Sequence, residues 1–116
     1  MSETTPQVRH RQPNTAQVSR ALVSAGHVKA APYNPFGRER EGFLVTHRDR
    51  FGERGERLPR EAIVLFSRGA RPAEEAAASA ELTSYADTLD AAGYRVEREK
   101  RQSGAVQALH VKYWED

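Results

Sequence analysis

Residues 61–99 read EAIVLFSRGARPAEEAAASAELTSYADTLDAAGYRVERE. This stretch decides the fold: it predicts one strand, one long helix and the start of a second strand. Ala62-Ile63-Val64-Leu65-Phe66 is a continuous apolar run, too short for a helix and bounded by Pro59 and by Gly69 with Pro72, which is the pattern of a strand. Ile63 and Leu65 share one side, Val64 and Phe66 the other. Apolar residues on both sides predict an interior strand covered on both faces for part of its length.

The helix follows. Pro72 suits a first helical turn, where its missing N–H is not needed. Glu74 and Glu75 favour the positive end of the helix dipole, and Ala73, Ala76, Ala77, Ala78 and Ala80 bring high helix propensity. Ala78, Leu82, Tyr85, Leu89 and Ala92 recur every three or four positions and predict one apolar stripe. Gly93 stands where a left-handed residue closes a helix. Tyr94 and Val96 then resume with period two, so a strand leaves the helix at once.

Working towards the N-terminus, Ser67-Arg68-Gly69-Ala70 precedes the long helix and offers the anion affinity that any helix start has. Asp49 to Arg60 reads as a long polar loop holding Gly52, Gly55 and Pro59. Gly42-Phe43-Leu44-Val45-Thr46-His47-Arg48 reads as a strand with Phe43, Val45 and His47 on one face. Tyr33-Asn34-Pro35-Phe36-Gly37 is a turn, and His27 to Ala31 a short edge strand. Asn14, with Gln17 three residues later, predicts the cap of a short helix with Val18, Ala21, Leu22 and Ala25 as its stripe and Gly26 as its end. Met1 to Gln12 is polar, aperiodic and without the apolar segment of a signal peptide, so residues 1–12 are expected to form a disordered arm and residues 13–116 a single domain. Towards the C-terminus, Gln102-Ser103-Gly104 is a turn. Val106 to Tyr113 is the last strand, with Leu109, Val111 and Tyr113 on one face and His110, Lys112 and Trp114 on the other.

These elements predict an α+β fold in the order α-β-β-α-β-β: a two-layer sandwich with two helices on one face of a mainly antiparallel four-stranded sheet. Two internal echoes accompany it. Residues 18–27 resemble residues 85–94 at an offset of 67, with Leu, Ala and Gly coinciding. That similarity fits an ancient duplication or simply two helix–glycine–strand junctions. Phe36-Gly37 and Phe51-Gly52 both precede alternating charge.

Composition narrows the function. Cysteine is absent, which excludes disulfides and thiolate chemistry. No run has the length of a membrane span, so neither a membrane nor a targeting segment is implied, and the cytoplasm is the expected location. The four histidines, His10, His27, His47 and His110, stand at no recognised metal spacing; His47 and His110 could meet across strands on the open sheet face. Glu97 and Glu99 share a strand face, as solvated acids commonly do. There is neither a nucleophile elbow nor a phosphate-cradling glycine loop. No catalytic residue, metal or cofactor is therefore expected.

Arginine is the chemical signal. The chain has 15 Arg against 3 Lys and 17 Ala against one Ile, a bias that a high-GC genome also produces. Residues 70–93 carry a net charge of −4, whereas residues 1–37 carry +3 and residues 38–69 carry +2. Arg38, Arg40, Arg48, Arg50, Arg54, Arg57 and Arg60 lie within 23 positions, interleaved with Tyr33, Phe36 and Phe51. Guanidinium with aromatic neighbours suits phosphate contact and base stacking. Glu39, Glu41, Asp49, Glu53, Glu56 and Glu61 offset that charge, and a self-neutralising solvated loop is the competing reading.

The helix–Ala–Gly–aromatic junctions and the strand start Gly93-Tyr94-Arg95-Val96-Glu97 resemble, over residues 14 to 113, small uncharacterised α+β proteins of high-GC bacteria and their phages. The chain also resembles small toxin folds related to double-stranded RNA-binding domains, in which a helix ends in Ala-Gly before a β-hairpin. Those toxins use a histidine in a Gly-Ser-His context. Here His47 stands in Val45-Thr46-His47-Arg48, and the activity does not carry over. The arginine-rich loops, with no catalytic motif beside them, lead to the expectation of a small non-enzymatic accessory protein of phage or mobile-element type, binding nucleic acid or acting as a regulator. The alternative is a protein-interaction module that dimerises or binds a partner through the exposed sheet face and Trp114.

Overall fold

The computed structural model describes residues 11–31, 40–68 and 74–114. The elements are α1 (Thr15–Ser24), β1 (Gly42–Phe51), β2 (Arg57–Ser67), α2 (Glu75–Ala91), β3 (Arg95–Lys100) and β4 (Val106–Lys112). The strands form one antiparallel sheet in the order β1-β2-β4-β3. The chain is thus an α+β fold in the expected order, and one cluster of buried side chains joins both helices to one face of the sheet.

That cluster is drawn from five of the six elements, and Val96 of β3 packs against it. Val18 and Leu22 come from α1, Leu82, Tyr85, Ala86 and Leu89 from α2, and Phe43, Ala62, Val64, Leu109 and Val111 from the sheet. Leu22, Phe43, Val64, Leu89 and Leu109 are wholly buried, each contributing roughly 1.5–3 kcal/mol relative to exposure. Tyr85 is at the centre, with edge-on ring contacts to Phe43 at 5.8 Å and to His27 at 4.9 Å. The α2 stripe includes Ala86 as well as the residues expected from periodicity; at its ends Ala78 and Ala92 are half-buried. In the α1 stripe Ala25 is exposed.

Both helices end in the same way. Gly26 donates to the Val23 carbonyl (3.0 Å) and His27 to Leu22 (3.0 Å); Gly93 donates to Asp90 (3.1 Å) and Tyr94 to Leu89 (3.0 Å). This is the Schellman pattern. It needs the positive φ that Gly26 (94°) and Gly93 (99°) supply, at the glycines where residues 18–27 and 85–94 coincide. At its start, α1 is capped by Asn14, whose Oδ1 accepts from the Gln17 N–H at 3.1 Å. α2 begins at Glu75 after Glu74, which makes no side-chain capping bond. The expected Pro72 turn and Gly69-Ala70 lie outside the described residues, as does the 33–37 turn.

Four expectations change. Asp49–Arg60 is not a loop: β1 runs on to Phe51 and β2 begins at Arg57. Alternating charges hid the hairpin because neither side of it is apolar. Secondly, β2 is covered on one face only, and Leu65 is 36% exposed, because both helices take the Val64 side. Thirdly, His27–Ala31 meets the sheet through isolated bridges, Lys29 parallel to Phe43 and Ala31 antiparallel to Arg40. The segment runs so close that a Cβ on Gly42 would collide with the Val28 carbonyl, and only glycine fits there. Lastly, a register shift between Glu99 and Lys100 leaves Gln107 unpaired in β4. This bulge turns Val106 onto the same buried cluster as Leu109.

Arg11 and Gln12, placed in the arm by sequence, are hydrogen-bonded to the domain. The Arg11 N–H donates to the Gly93 carbonyl (2.9 Å). The Gln12 amide donates to the Trp114 carbonyl (3.0 Å) and accepts from its N–H (2.7 Å). The Trp114 indole in turn donates to the Gly93 carbonyl at 3.0 Å. Trp114 is therefore a latch between the two ends of the domain.

Candidate nucleic-acid interface

The extended hairpin places most of the arginines. β1 pairs with β2 from Gly42 through Phe51, whereas β2 pairs with β4 only at Ala62, Ile63 and Val64. Residues 48–60 thus form a two-stranded ribbon that continues past the last β2–β4 pair. Its turn is closed by Gly52 N–H to the Glu56 carbonyl (2.8 Å) and Gly55 N–H to the Gly52 carbonyl (2.9 Å), with Gly55 at a φ of 78°. Within the ribbon Arg48 pairs with Glu61 and Arg50 with Leu58, which sets Asp49 against both Pro59 and Arg60. Pro59 sits in this bulge, where no ladder N–H is required.

Pairing register sorts the side chains. Arg48, Arg50, Leu58 and Glu61 share the open face of the sheet. Asp49, Phe51, Arg57 and Arg60 lie on the other side, with Phe51 directly opposite Arg57. Phe51 is 61% exposed, a large aromatic ring in water.

The charges are unequally partnered. Arg50 Nε pairs with Glu61 at 3.0 Å, and Arg60 Nε with Asp49 at 2.9 Å. Glu56 turns its carboxylate to the Arg54 backbone N–H at 3.0 Å. Among the described residues, the Arg48, Arg54 and Arg57 guanidiniums form no ion pair. The expected self-neutralisation is therefore partial. Of the remaining predicted site residues, Arg40 is away from the ribbon, its Nε donating to the Lys29 carbonyl at 2.9 Å. Arg38 lies outside the described residues, with Tyr33 and Phe36.

Sequence reasoning named Glu61 as an offsetting acid but missed its burial and its second partner, Lys112. Glu61 is only 5% exposed, and its second oxygen takes Lys112 Nζ of β4 at 3.3 Å. Nothing local marks this contact, because it depends on β4 lying beside β2 rather than beyond β3.

The histidines do not gather. His47 pairs opposite Ala62 and so follows the Phe43 and Val45 side, while His110 pairs opposite Ile63 on the open face. They cannot meet, because successive residues of a strand face opposite ways. His27 Nε2 lies 2.8 Å from Thr88 Oγ1, and His110 Nε2 lies 3.4 Å from Glu99. His10 is outside the described residues. Among the described residues no group of three or more His, Asp or Glu side chains could hold a metal ion, and no helix is long and apolar enough to cross a membrane. Burial, aided by nearby Glu81 and Glu41, pushes the Tyr85 hydroxyl up to about 12.

Comparison with known proteins finds no matching family model, curated protein or solved structure.

Proposed function

We propose that this is a small non-enzymatic accessory or regulatory protein of phage or mobile-element type that binds nucleic acid in the cytoplasm through the β1–β2 ribbon. One observation carries the reading. A two-stranded ribbon runs past the sheet bearing an exposed Phe51 and three guanidiniums without ion partners among the described residues. A two-stranded β-ribbon fits the major groove of duplex DNA. Arg48, Arg54 and Arg57 supply phosphate contacts, while Phe51 offers its ring to a base or base step. The ladder fixes the ribbon backbone, and the long arginine side chains adapt to the phosphates. With its arginines directed to phosphates, binding is expected to be weakly sequence-selective.

The test is fluorescence anisotropy with duplex and single-stranded DNA at several salt concentrations. Each phosphate neutralised releases counterions, so affinity falls steeply with salt. Replacing Arg48, Arg54 and Arg57 by Ala should weaken binding to all sequences alike and flatten the duplex salt slope by about three contacts' worth. Arg50 is left in place because its loss would strip a partner from buried Glu61. No binding by the wild type at about 50 mM salt, where even non-specific contacts are favoured, defeats the reading.

A second reading has its own observation. On the open face Leu44 is paired with exposed Leu65, beside Thr46 and Ile63, an apolar patch suited to a protein partner or a second copy. Trp114 does not join it, being held by Gln12 and Gly93. Concentration-dependent dimerisation without nucleic acid would favour this alternative.

A further inference from the structure

We infer that Arg48, Arg50 and Lys112, gathered around the buried carboxylate of Glu61, form a seat for one phosphate group at the base of the ribbon. Three strands build it: β1 brings Arg48 and Arg50, β2 brings Glu61 and β4 brings Lys112. They line an open concavity of about 320 Å³ with Asp49, Phe51 and Leu58.

The Glu61 side chain is 7% exposed, while those of Arg50 and Lys112 are each 26% exposed. The carboxylate therefore lies beneath the two cations. One oxygen takes Arg50 and the other takes Lys112, so a single negative charge draws together two positive groups that would otherwise repel. Arg48, opposite Glu61 in the ladder, adds a third cation with no ion partner among the described residues. Asp49 on the rim is taken by Arg60 at 2.9 Å, and exposed Glu97 reaches Lys112 only at 3.9 Å. The local balance favours an incoming anion.

The donors suit phosphate. Arg50 meets Glu61 through Nε, which leaves both terminal NH2 groups without a partner among the described residues. A guanidinium so anchored presents the two parallel N–H bonds that phosphate accepts. Lys112 keeps N–H donors beyond those aimed at carboxylates. Because Glu61 already holds both side chains in place, little rotamer freedom remains to be lost on binding. The source of the phosphate rests on the nucleic-acid reading: Arg54 in the turn and Arg57 on the other side of the same hairpin add cations beyond the seat, as a polyanion requires and a small phosphoester does not.

Two titrations of the full chain test this. In the first, pyrophosphate is added at constant ionic strength while amide and arginine Nε–H signals are followed by NMR. Saturable shifts are expected at Arg48, Arg50 and Lys112. Lys112→Ala should weaken the affinity about tenfold or more, as fits the loss of one charge-assisted hydrogen bond. Arg48→Ala, which disturbs no ion pair, should weaken it too and keeps the test valid if Lys112→Ala fails to fold. Arg101→Ala, an equal charge loss in the β3–β4 turn, should leave it within about twofold, since screened remote charges contribute little. Uniform, non-saturating shifts, or equal weakening by Arg101→Ala and Arg48→Ala, overturn the seat. In the second, duplex DNA replaces pyrophosphate. Loss of DNA affinity in Lys112→Ala and Arg48→Ala but not in Arg101→Ala supports the seat as a backbone-phosphate site. DNA binding indifferent to both substitutions overturns the seat as a backbone-phosphate site and removes Arg48 from the ribbon reading, which then rests on Arg54 and Arg57. Saturable pyrophosphate binding without DNA binding upholds the seat, defeats the nucleic-acid reading and assigns a small phosphorylated molecule.

Discussion

Val64 and Leu65 are neighbours in β2 and face different worlds. Val64 is wholly buried under the helices, whereas Leu65 is 36% exposed on the opposite side of the sheet. The same division runs across the strands: Phe43, Ala62, Leu109 and Val111 lie inside, and Leu44, Glu61, His110 and Lys112 lie on the other face. The inner face is continuous, apolar and closed by two helices. The outer face mixes a small apolar patch with ion pairs that join all four strands. One layer holds the fold together, while the other leaves cations and an apolar patch for something else to meet.

The largest effect should come from the inner layer. Leu89 is wholly buried in α2, so Leu89→Ala should destabilise by roughly 2–4 kcal/mol through the cavity left behind. A loss below about 0.5 kcal/mol in a urea melt, the range of ordinary surface changes, would mean that the helix does not press on the sheet through this face.

Alkaline pH probes the same layer differently. Tyr85 is 2% exposed, and its hydroxyl is pushed from 10.0 to about 12, mainly by burial. The unfolded chain therefore releases this proton first. The contribution is fully present below pH 10.0 and is lost as pH rises through about 12, by on the order of 2 kcal/mol in all. Tyr85→Phe has no proton to release, so its stability should fall less over that range. Parallel wild-type and Tyr85→Phe profiles would place the hydroxyl in water.

These two tests concern features that the sequence made legible, and the reason is physical. Leu82, Tyr85 and Leu89 repeat at the helical period because one helix face meets one core. Gly26 and Gly93 mark helix ends because only a residue tolerant of positive φ closes a Schellman motif. Ala62–Phe66 was legible as a strand but not in its burial, since nothing in five apolar residues says which face the helices take. The ribbon was hidden for a different reason. In Asp49–Phe51 and Arg57–Arg60 the ladder hydrogen bonds form without an apolar side, so no period-two hydrophobic signal exists. The Glu61–Lys112 contact was hidden by topology, being a product of strand order rather than of any local pattern.

Gln12 offers a smaller test at the border of the two regimes. Its amide makes two hydrogen bonds with the Trp114 backbone, and intramolecular hydrogen bonds contribute about 0.5–1.5 kcal/mol each in net terms. Gln12→Ala should cost about 1 kcal/mol, with the bonds being exposed. Deleting residues 1–10 should leave the melting temperature nearly unchanged, and deleting 1–12 should lower it measurably. Equal behaviour of the two deletions would show that the Gln12–Trp114 latch contributes nothing to stability.

The smallest expected effect returns to β2 and makes the contrast quantitative. Val64→Ala should cost roughly 1.5–3 kcal/mol, since a wholly buried side chain loses its apolar contacts. Leu65→Thr keeps strand propensity and removes most of the apolar area one position away. On a face left to solvent it should change stability by no more than about 0.5 kcal/mol. Both are read from urea melts at two protein concentrations. A Leu65→Thr loss that approaches that of Val64→Ala would mean that Leu65 is covered in solution. If that loss appears only at the higher concentration, the cover is a second copy of the chain. The Leu44–Leu65 patch would then be the contact, and the protein-interaction reading would displace nucleic-acid binding as the first use of the open face.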